Sequence, residues 1–306
     1  MALPYDSSIA NYLSPTYHSR IKSGGTWRWV DQLSVKSGNS WRTVKQAYVK
    51  SGGNWRKFHD AENVFTFYVQ LSGTRTSTFN LSNWLTTSGY NSPTLGRTYN
   101  NGDRIRGVIH VTGNAGGNPG INIGNFGGES RVYIKINSGA RIAGRGGNGG
   151  NIGSGGQSAG TALYTRTGVF IENNGNMWGG GGGGRGGQNG QCVGTYYYNY
   201  NCGKNCYRQG TGYNYNPASG GGGGGGAGIP AGSGRQRGNN GSYNSGGNGG
   251  SGNGCGSNAG GKGGNPGQNA SGGNSGSNGN SGNYIDGASY VYSWVSTGDR
   301  RGRSSG

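Results

Sequence analysis

The chain reads Gly144-Arg145-Gly146-Gly147-Asn148-Gly149-Gly150-Asn151-Ile152-Gly153 at the point where it stops resembling an ordinary globular sequence. Glycine recurs here at every third residue, and unbroken glycine runs follow at residues 179–184 and 220–226. A helix of the polyproline II type has three residues per turn, so every third residue lies on one edge. Glycine on that edge lets a second backbone approach closely. The spacing therefore predicts a domain of packed polyglycine II helices over residues 144–283, stabilised by main-chain hydrogen bonds.

The alternative interpretation of this stretch is a disordered linker, because sequences rich in Gly, Ser and Asn rarely bury enough apolar surface to offset the entropy of ordering. Short apolar clusters argue for order, since a linker does not need them: Ala162-Leu163-Tyr164, Val169-Phe170-Ile171 and Met177-Trp178. Collagen is excluded, because it needs an unbroken Gly-X-Y repeat and abundant proline, and this chain has 7 prolines in 306 residues.

The chain is strongly basic, with a formal net charge of +18 from 27 Lys and Arg against 9 Asp and Glu. No acidic residue lies between Asn173 and Ile285. This imbalance favours anionic partners such as nucleic acid, lipopolysaccharide phosphates or acidic glycans. No stretch approaches the roughly 20 apolar residues of a membrane span, and residues 1–10 lack the pattern of a signal peptide, so we expect no membrane insertion.

Residues 1–62 contain three copies of a 14-residue repeat. The copies read Ile21-Lys22-Ser23-Gly24-Gly25-Thr26-Trp27-Arg28, Val35-Lys36-Ser37-Gly38-Asn39-Ser40-Trp41-Arg42 and Val49-Lys50-Ser51-Gly52-Gly53-Asn54-Trp55-Arg56. In each copy a β-branched residue leads into a Ser-Gly turn, and the chain leaves through Trp-Arg. This pattern predicts three β-hairpins, each too small to bury its tryptophan alone.

Residues 63–143 are predicted to form a small β-rich domain. The expected strands are Val64-Phe65-Thr66-Phe67-Tyr68-Val69-Gln70-Leu71, residues 105–111 and Arg131-Val132-Tyr133-Ile134-Lys135-Ile136, with a short helix capped by Asn80. Residues 284–306 are predicted to be a C-terminal strand and tail, because Tyr284 to Val295 return to apolar alternation and are expected to add a strand to this domain. The predicted fold class is thus mainly β with little helix: hairpin repeats, a β-domain and a glycine domain.

No catalytic constellation is recognisable, so we expect no enzyme activity, no cofactor and no metal. The four cysteines are Cys192, Cys202, Cys206 and Cys255. Their spacing lacks the paired C-x2-C of a zinc site, and no histidine is near them. Disulfides that pin an exposed loop and free thiols both remain open.

A tyrosine-rich segment between the two glycine runs is the best candidate for binding. Tyrosine combined with Asn, Gly and Ser is typical of recognition loops, because tyrosine offers rigid contact area at low entropic cost. We therefore predict an exposed recognition loop over residues 192–215, with a secondary patch beyond it. The alternative is that these rings cover the glycine helices as a substitute core. The predicted contact residues are Tyr196, Tyr197, Tyr198, Tyr200, Lys204, Tyr207, Arg208, Tyr213 and Tyr215, with Arg235, Arg237 and Tyr243 in the patch.

Four further motifs occur in a fixed order along the chain: Phe79-Asn80-Leu81-Ser82-Asn83-Trp84-Leu85, Ile136-Asn137-Ser138-Gly139-Ala140-Arg141-Ile142-Ala143-Gly144, Gly160-Thr161-Ala162-Leu163 and Glu172-Asn173-Asn174-Gly175 running into polyglycine. Together these motifs resemble the distal-tip adhesins of T-even-type bacteriophage long tail fibres. The resemblance covers roughly residues 64–295. It implies a virion protein at the fibre tip, with packed polyglycine II helices and loops that contact an outer-membrane protein or lipopolysaccharide of the host.

The resemblance also implies a tail-fibre protein as partner, and such fibres are commonly trimers. Three hairpins would match three fibre subunits, so the predicted attachment residues are Trp27, Arg28, Trp41, Arg42, Trp55 and Arg56. The alternative is one β-meander with the three tryptophans as its core. A second function class, an RNA-binding protein with RGG triplets, rests on Arg145-Gly146-Gly147 and Arg185-Gly186-Gly187. Two triplets are few, and no nucleic acid is expected as partner.

Overall fold

The computed structural model of the chain describes residues 20–23, 26–29, 34–44, 46–60, 64–92, 95–203 and 206–306. Regular structure in these residues is almost entirely β-strand, and the single α-helix among them has 7 residues. The predicted mainly β class with little helix is confirmed. Within the same residues, no helix has the length and apolar character needed to cross a membrane.

The N-terminal part forms three separate two-stranded antiparallel sheets. They pair β1 (Arg20–Ser23) with β2 (Thr26–Trp29), β3 (Ser34–Ser37) with β4 (Ser40–Thr43), and β5 (Gln46–Ser51) with β6 (Asn54–Asp60). The three strand pairs have the same register. In each pair a lysine lies opposite a tryptophan: Lys22 and Trp27, Lys36 and Trp41, Lys50 and Trp55.

The central part is a three-sided parallel β-helix. Its three sheets have five strands each, and every neighbouring pair is parallel. The first sheet contains β7 (Val64–Leu71), β10 (Arg104–Val111), β13 (Arg131–Ile136), β16 (Gly168–Asn173) and β21 (Val291–Ser296). The second contains β8 (Thr74–Arg75), β11 (Asn114–Gly117), β14 (Arg141–Gly144), β17 (Asn176–Trp178) and β22 (Asp299–Arg301). The third contains β9 (Phe79–Asn80), β12 (Ile121–Gly124), β15 (Leu163–Thr165), β20 (Asn283–Asp286) and β23 (Arg303–Ser305).

The chain visits the three sheets in the same order five times, so each round is one coil of the β-helix. Inward side chains of equivalent strands stack in columns, since the strands are in parallel register: Val69 lies beside Ile109, Ile109 beside Ile134, and Ile134 beside Ile171. These residues are buried in one continuous apolar core. Burial of such columns is the main favourable contribution to this part of the fold.

Local sequence signals in the β-helix are confirmed. Strands β7 and β13 have the predicted bounds, and β10 begins one residue earlier than expected. Helix α1 (Leu81–Thr87) is capped by Asn80, whose side-chain oxygen accepts a hydrogen bond from the Asn83 amide at 3.0 Å. The predicted C-terminal strand is divided in two, because the chain turns a corner at Gly287 between β20 and β21.

The glycine-rich sequence leaves the β-helix twice at the same corner, between the second and third sheets. Residues 145–162 connect β14 to β15, and residues 179–282 connect β17 to β20. We call these two insertions, apart from the hairpin described below, the glycine region. Strands β15, β16 and β17 lie between the insertions and pair with strands of the β-helix, whereas the glycine spacing predicts one glycine domain over residues 144–283.

Main-chain hydrogen bonds connect the segments of the glycine region with a period of three. Amides of residues 181, 184 and 187 donate to carbonyls of residues 227, 224 and 221 at 2.7–2.8 Å. Amides of residues 180, 183 and 186 donate to residues 160, 157 and 154 at 2.8–3.0 Å. Adjacent residues of one segment thus donate hydrogen bonds to two different neighbouring segments. An extended chain with three residues per turn permits this, because successive amides point in different directions.

The backbones in this region approach too closely for side chains. A Cβ atom placed on Gly183 would lie 1.9 Å from the Asn148 carbonyl oxygen, and one on Gly223 would lie 1.8 Å from that of Gly184. Glycine is therefore required at these two positions for the main chains to pack.

Candidate functional site

The glycine region has two ends of different character. At the inner end it adjoins the β-helix, where the Gly179 amide donates to the Arg301 carbonyl of β22 at 2.8 Å. At the outer end, eight residues further along, the Gly187 amide donates to the Gly221 carbonyl at 2.7 Å. The tyrosine-rich segment lies in the sequence between Gly187 and Gly221, and it therefore projects from the outer end.

The segment predicted as an exposed recognition loop is a long two-stranded antiparallel hairpin in the structure. Strand β18 (Gly190–Gly203) pairs with β19 (Cys206–Ala218) from Gly190 opposite Ala218 to Gly203 opposite Cys206. The signal for strands was present in the sequence, because tyrosine alternates at positions 196, 198 and 200, and β-strands have a period of two. The composition, which is typical of recognition loops, favoured a loop over this strand pattern.

One face of the hairpin carries a ladder of three aromatic rings, Tyr196, Tyr198 and Tyr200, which we call the tyrosine ladder. Neighbouring ring centroids lie 6.0 and 6.1 Å apart, with the ring planes inclined by 42° and 44°. Tyr196 lies opposite Gly212 and Tyr198 opposite Gly210. A Cβ atom on these glycines would lie 2.4 and 2.7 Å from the Cζ atoms of the two rings. The rings therefore rest on the glycine backbone of the partner strand.

The opposite face carries tyrosines that stand further into solvent. Tyr197, Tyr207, Tyr213 and Tyr215 have exposed fractions of 58–77%, compared with 43–47% in the tyrosine ladder. Their positions follow from the register, since Tyr213 lies opposite Thr195 and Tyr215 opposite Val193. The hairpin thus presents two aromatic faces. These rings do not cover the glycine helices as a substitute core, because all seven remain exposed.

The basic residues of the predicted site are distributed over the outer end. Arg208 is exposed and lies opposite Tyr200 in the hairpin, whereas Lys204 lies outside the described residues. Arg235 and Arg237 are exposed in a tight turn where Arg237 has a positive φ of 68°. The Gln236 carbonyl between them accepts a hydrogen bond from the Gly222 amide, which places this turn at the outer end beside the hairpin.

Tyr243 does not join this group. Its turn is held by the Ser242 carbonyl, which accepts a hydrogen bond from the Gly228 amide at 3.1 Å. Six residues separate Gly222 from Gly228, and an extended chain of this type rises about 3.1 Å per residue, so the two turns lie roughly 19 Å apart along the glycine segment. The structure therefore brings Arg235 and Arg237 to the outer end and places Tyr243 at the inner end.

The cysteines belong to the hairpin and the outer turns. Cys202 takes part in a disulfide near the hairpin tip, and Cys192 and Cys255 are free thiols. A hydrogen bond with the Cys192 thiol raises the pKa of Cys255, so Cys255 carries less thiolate at neutral pH than an isolated cysteine. Among the described residues, no group of three or more His, Cys, Asp or Glu side chains is arranged to hold a metal ion.

The predicted attachment residues are partly described. Trp41 and Trp55 are exposed to 71% and 69%, and Arg42 is also exposed. The side chains of Trp27, Arg28 and Arg56 lie outside the described residues. Because each hairpin is a separate two-stranded sheet, the described tryptophans are not the core of one meander.

A cluster that sequence reasoning missed lies on the second sheet of the β-helix. The guanidinium groups of Arg141 and Arg301 lie 4.0 and 4.3 Å from the ring centroid of Trp178, so two cations flank one indole. Desolvation lowers the pKa of Arg141, and the positive charge of Arg301 acts in the same direction. The positions are neighbours only through the parallel register of β14, β17 and β22.

The second RGG triplet is part of the packing. The Arg185 guanidinium donates hydrogen bonds to the carbonyl oxygens of Gly272 at 2.8 Å and Gly276 at 2.9 Å. An arginine held in this way joins glycine segments, which disfavours the RNA-binding interpretation.

Comparison with known proteins identifies the family. The family model of the phage tail fibre adhesin Gp38 matches residues 65–305. A crystal structure of the gp37-gp38 adhesin tip complex of the bacteriophage S16 long tail fiber matches with a TM-score of 0.46 and 22% sequence identity, over 81% of this chain and 83% of that chain. No curated protein matches the sequence significantly. The family match spans the β-helix, the glycine region and the hairpin, and the chain therefore belongs to the phage tail fibre adhesin Gp38 family, whose members are receptor-binding proteins.

Proposed function

We propose that the chain forms the receptor-binding tip of a phage tail fibre, with the outer end of the glycine region directed at the host cell. The observation that carries this proposal is the hairpin β18–β19, which projects from the outer end with seven exposed tyrosines. The β-helix is at the other end, so the surface for recognition is separated from the body of the protein. In the virion, this arrangement would hold the hairpin clear of the fibre.

The glycine region serves as a rigid platform in this proposal. We propose that its segments are polyglycine II helices, because amides three residues apart donate to the same neighbouring segment. A platform held by main-chain bonds tolerates many side chains in its turns, since the turns contribute little to its packing. We keep the division of the chain into an attachment region (1–62), a β-domain (63–143), a glycine domain (144–283) and a C-terminal strand (284–306) as a functional proposal.

The receptor is an outer-membrane protein or lipopolysaccharide. The outer end carries Arg208, Arg235 and Arg237, and no acidic residue lies between Asn173 and Ile285, so an anionic outer membrane would attract it. The proposed contact residues are those predicted from the sequence. Tyr243 is the one least favoured by its position, because its turn is at the inner end.

Replacement of Tyr197, Tyr200 and Arg208 by alanine tests this proposal. Together the three changes remove side chains from both faces of the hairpin, so adsorption of the phage to its host should be abolished while particles still assemble. Adsorption is measured as free phage remaining after mixing with cells. Alanine at Tyr292, an exposed tyrosine of β21 in the β-helix, is the matched control and should leave adsorption near the wild-type value. Unchanged adsorption by the triple variant would place receptor contact elsewhere.

The three N-terminal hairpins attach the chain to a trimeric tail-fibre protein in this proposal. The exposed Trp41 and Trp55 support it, because large exposed tryptophans are typical anchors of protein interfaces. The shared Lys-Trp register gives each hairpin the same surface, which suits three equivalent fibre subunits.

Deletion of residues 20–58 tests attachment separately from receptor binding. The shortened chain should still bind host cells but should no longer be recovered on purified fibres. The triple alanine variant at Tyr197, Tyr200 and Arg208, which changes only the receptor-binding hairpin, is the reciprocal control and should retain attachment. Normal incorporation of the shortened chain into fibres would show that the hairpins are not the attachment site.

A further inference from the structure

The two aromatic faces of the hairpin differ in a way that indicates different ligands. In the tyrosine ladder, the outer half of the Tyr196 ring, including Cζ, Cε1 and the hydroxyl, rests on Gly212. We infer that the tyrosine ladder binds the sugar rings of an acidic glycan, the oligosaccharide part of host lipopolysaccharide. This inference rests on the proposed function, since it assigns a ligand to one face of the same hairpin.

The geometry of the tyrosine ladder suits sugar rings. The C–H bonds on one side of a pyranose carry partial positive charge, and the face of a tyrosine ring is negative, so the two surfaces attract when they stack. The neighbouring ring centroids lie 6.0 and 6.1 Å apart, so the rings form a continuous strip. Two of the rings lie close to the backbone, because Gly210 and Gly212 beneath them have no side chains. A ring that already rests on the backbone loses little entropy on binding.

Polar groups beside the strip suit the hydroxyls of a sugar. Asn214 is exposed and lies on the same face, opposite Gly194 and next to the Tyr196 and Gly212 pair. Its amide can both donate and accept hydrogen bonds, as sugar hydroxyls do. The phenol groups of the tyrosine ladder add further donors and acceptors. A protein ligand would be favoured by a deep pocket for an anchoring side chain, whereas this face is a shallow strip.

The charge of the hairpin selects an acidic glycan. Arg208 is exposed on the same face as the tyrosine ladder, opposite Tyr200. No acidic residue lies between Asn173 and Ile285, so no carboxylate in this part of the sequence competes for the arginine. Phosphate or carboxylate groups on a sugar would bind the guanidinium through paired hydrogen bonds.

The test uses the full chain and the oligosaccharide released from the lipopolysaccharide of a strain to which the wild-type chain adheres. Binding is measured by isothermal titration calorimetry. Alanine at Tyr196 and Tyr198 should weaken oligosaccharide binding by at least about tenfold. Alanine at Thr195 and Thr211, two exposed residues of the opposite face that are not proposed contacts, should change it by less than about twofold. An equal loss in the two double variants would overturn the assignment to one face.

A second pair of variants keeps every tyrosine. Gly212→Ala forces the Tyr196 ring away from the strand, because the new Cβ would lie 2.4 Å from Cζ, and it should weaken binding. Gly194→Ala is the matched control on the same strand pair, since its nearest neighbours lie at 3.9 Å, and it should bind as the wild type does. Equal affinity of these two variants for the oligosaccharide would contradict the inference that the Tyr196 ring must rest on the backbone of Gly212 to bind it.

Two outcomes separate this inference from the proposed function. If the wild-type chain adheres to cells but does not bind the oligosaccharide, the glycan inference is wrong and the adhesin proposal stands. The same conclusion follows if the ladder variant loses binding to a purified outer-membrane protein instead of the oligosaccharide. If the wild-type chain adheres to no cell that its phage infects, the proposed function itself fails.

Discussion

In the β-helix, the side chains of Phe67, Ile109 and Ile134 fill the space between three sheets, whereas in the glycine region the space beside Gly183 and Gly223 is filled by neighbouring main chains. The first arrangement is stabilised mainly by burial of apolar surface, and the second by hydrogen bonds between backbones that side chains would push apart. The two regions should therefore respond oppositely to mutation. Loss of side-chain atoms should damage the β-helix, and addition of side-chain atoms should damage the glycine region.

The largest effect is expected from a truncation in the β-helix core. Phe67 is completely buried, and its ring lies where a side chain on Gly107 would stand. Phe67→Ala should lower the free energy of unfolding by about 3–5 kcal/mol, because it leaves a cavity that the stacked strands cannot close. Urea unfolding measures this. Val295→Ala, at a partly exposed position of β21, should cost less than about 1 kcal/mol. A small loss from Phe67→Ala would contradict a core held by side chains.

A smaller effect is expected from a single added methyl group in the glycine region. Gly183→Ala should destabilise by about 1–3 kcal/mol, because its Cβ would lie 1.9 Å from a carbonyl oxygen and the segments must move apart. Loss of amide protection over residues 179–187 by hydrogen exchange reports it. Gly128→Ala has no atom within 4 Å of the new Cβ and is the matched control. If both variants retained full protection, close backbone packing would not stabilise the region.

The smallest predicted effect is a loss of stability in the first coils of the β-helix at acidic pH. Arg97 donates two hydrogen bonds to Asp103, at 2.7 and 2.8 Å, and they lower the pKa of the Asp103 carboxyl. A lowered pKa means that this carboxylate stabilises the folded state above its ordinary pKa, and that the contribution disappears as pH falls through the folded pKa. The first coils of the β-helix should therefore lose protection in acid, and Asp103→Asn should remove part of that dependence.

The glycine region provides the internal control for this experiment. It contains no acidic residue between Asn173 and Ile285, so its protection factors, corrected for the intrinsic exchange rate, should not change in acid. Equal acid sensitivity of the two regions would mean that the pH dependence arises from global unfolding and not from Asp103.

Much of the local structure was predictable because short-range patterns specify it. Alternating burial over β7 and β13 matches the period of a strand, and Asn80 has the residue type and spacing of a helix cap. Two of the motifs that carry the resemblance, at residues 136–144 and 172–175, lie in two stacked coils, where Arg141 is beside Asn176. The hairpin β18–β19 was missed because its composition is that of a loop, even though its tyrosines alternate.

The sequence by itself determined where side chains are excluded and where they are buried, because glycine spacing and apolar alternation act within a few residues. The 14-residue repeat likewise predicted local strand pairs, and an antiparallel pair lies in each of the three copies. Only the tertiary structure decided that both glycine insertions leave one corner of a β-helix, that Arg235 and Arg237 lie at the outer end while Tyr243 does not, and that Tyr196 rests on Gly212. These arrangements depend on which distant strands pair and in which register, and a period of two or three is compatible with many such pairings.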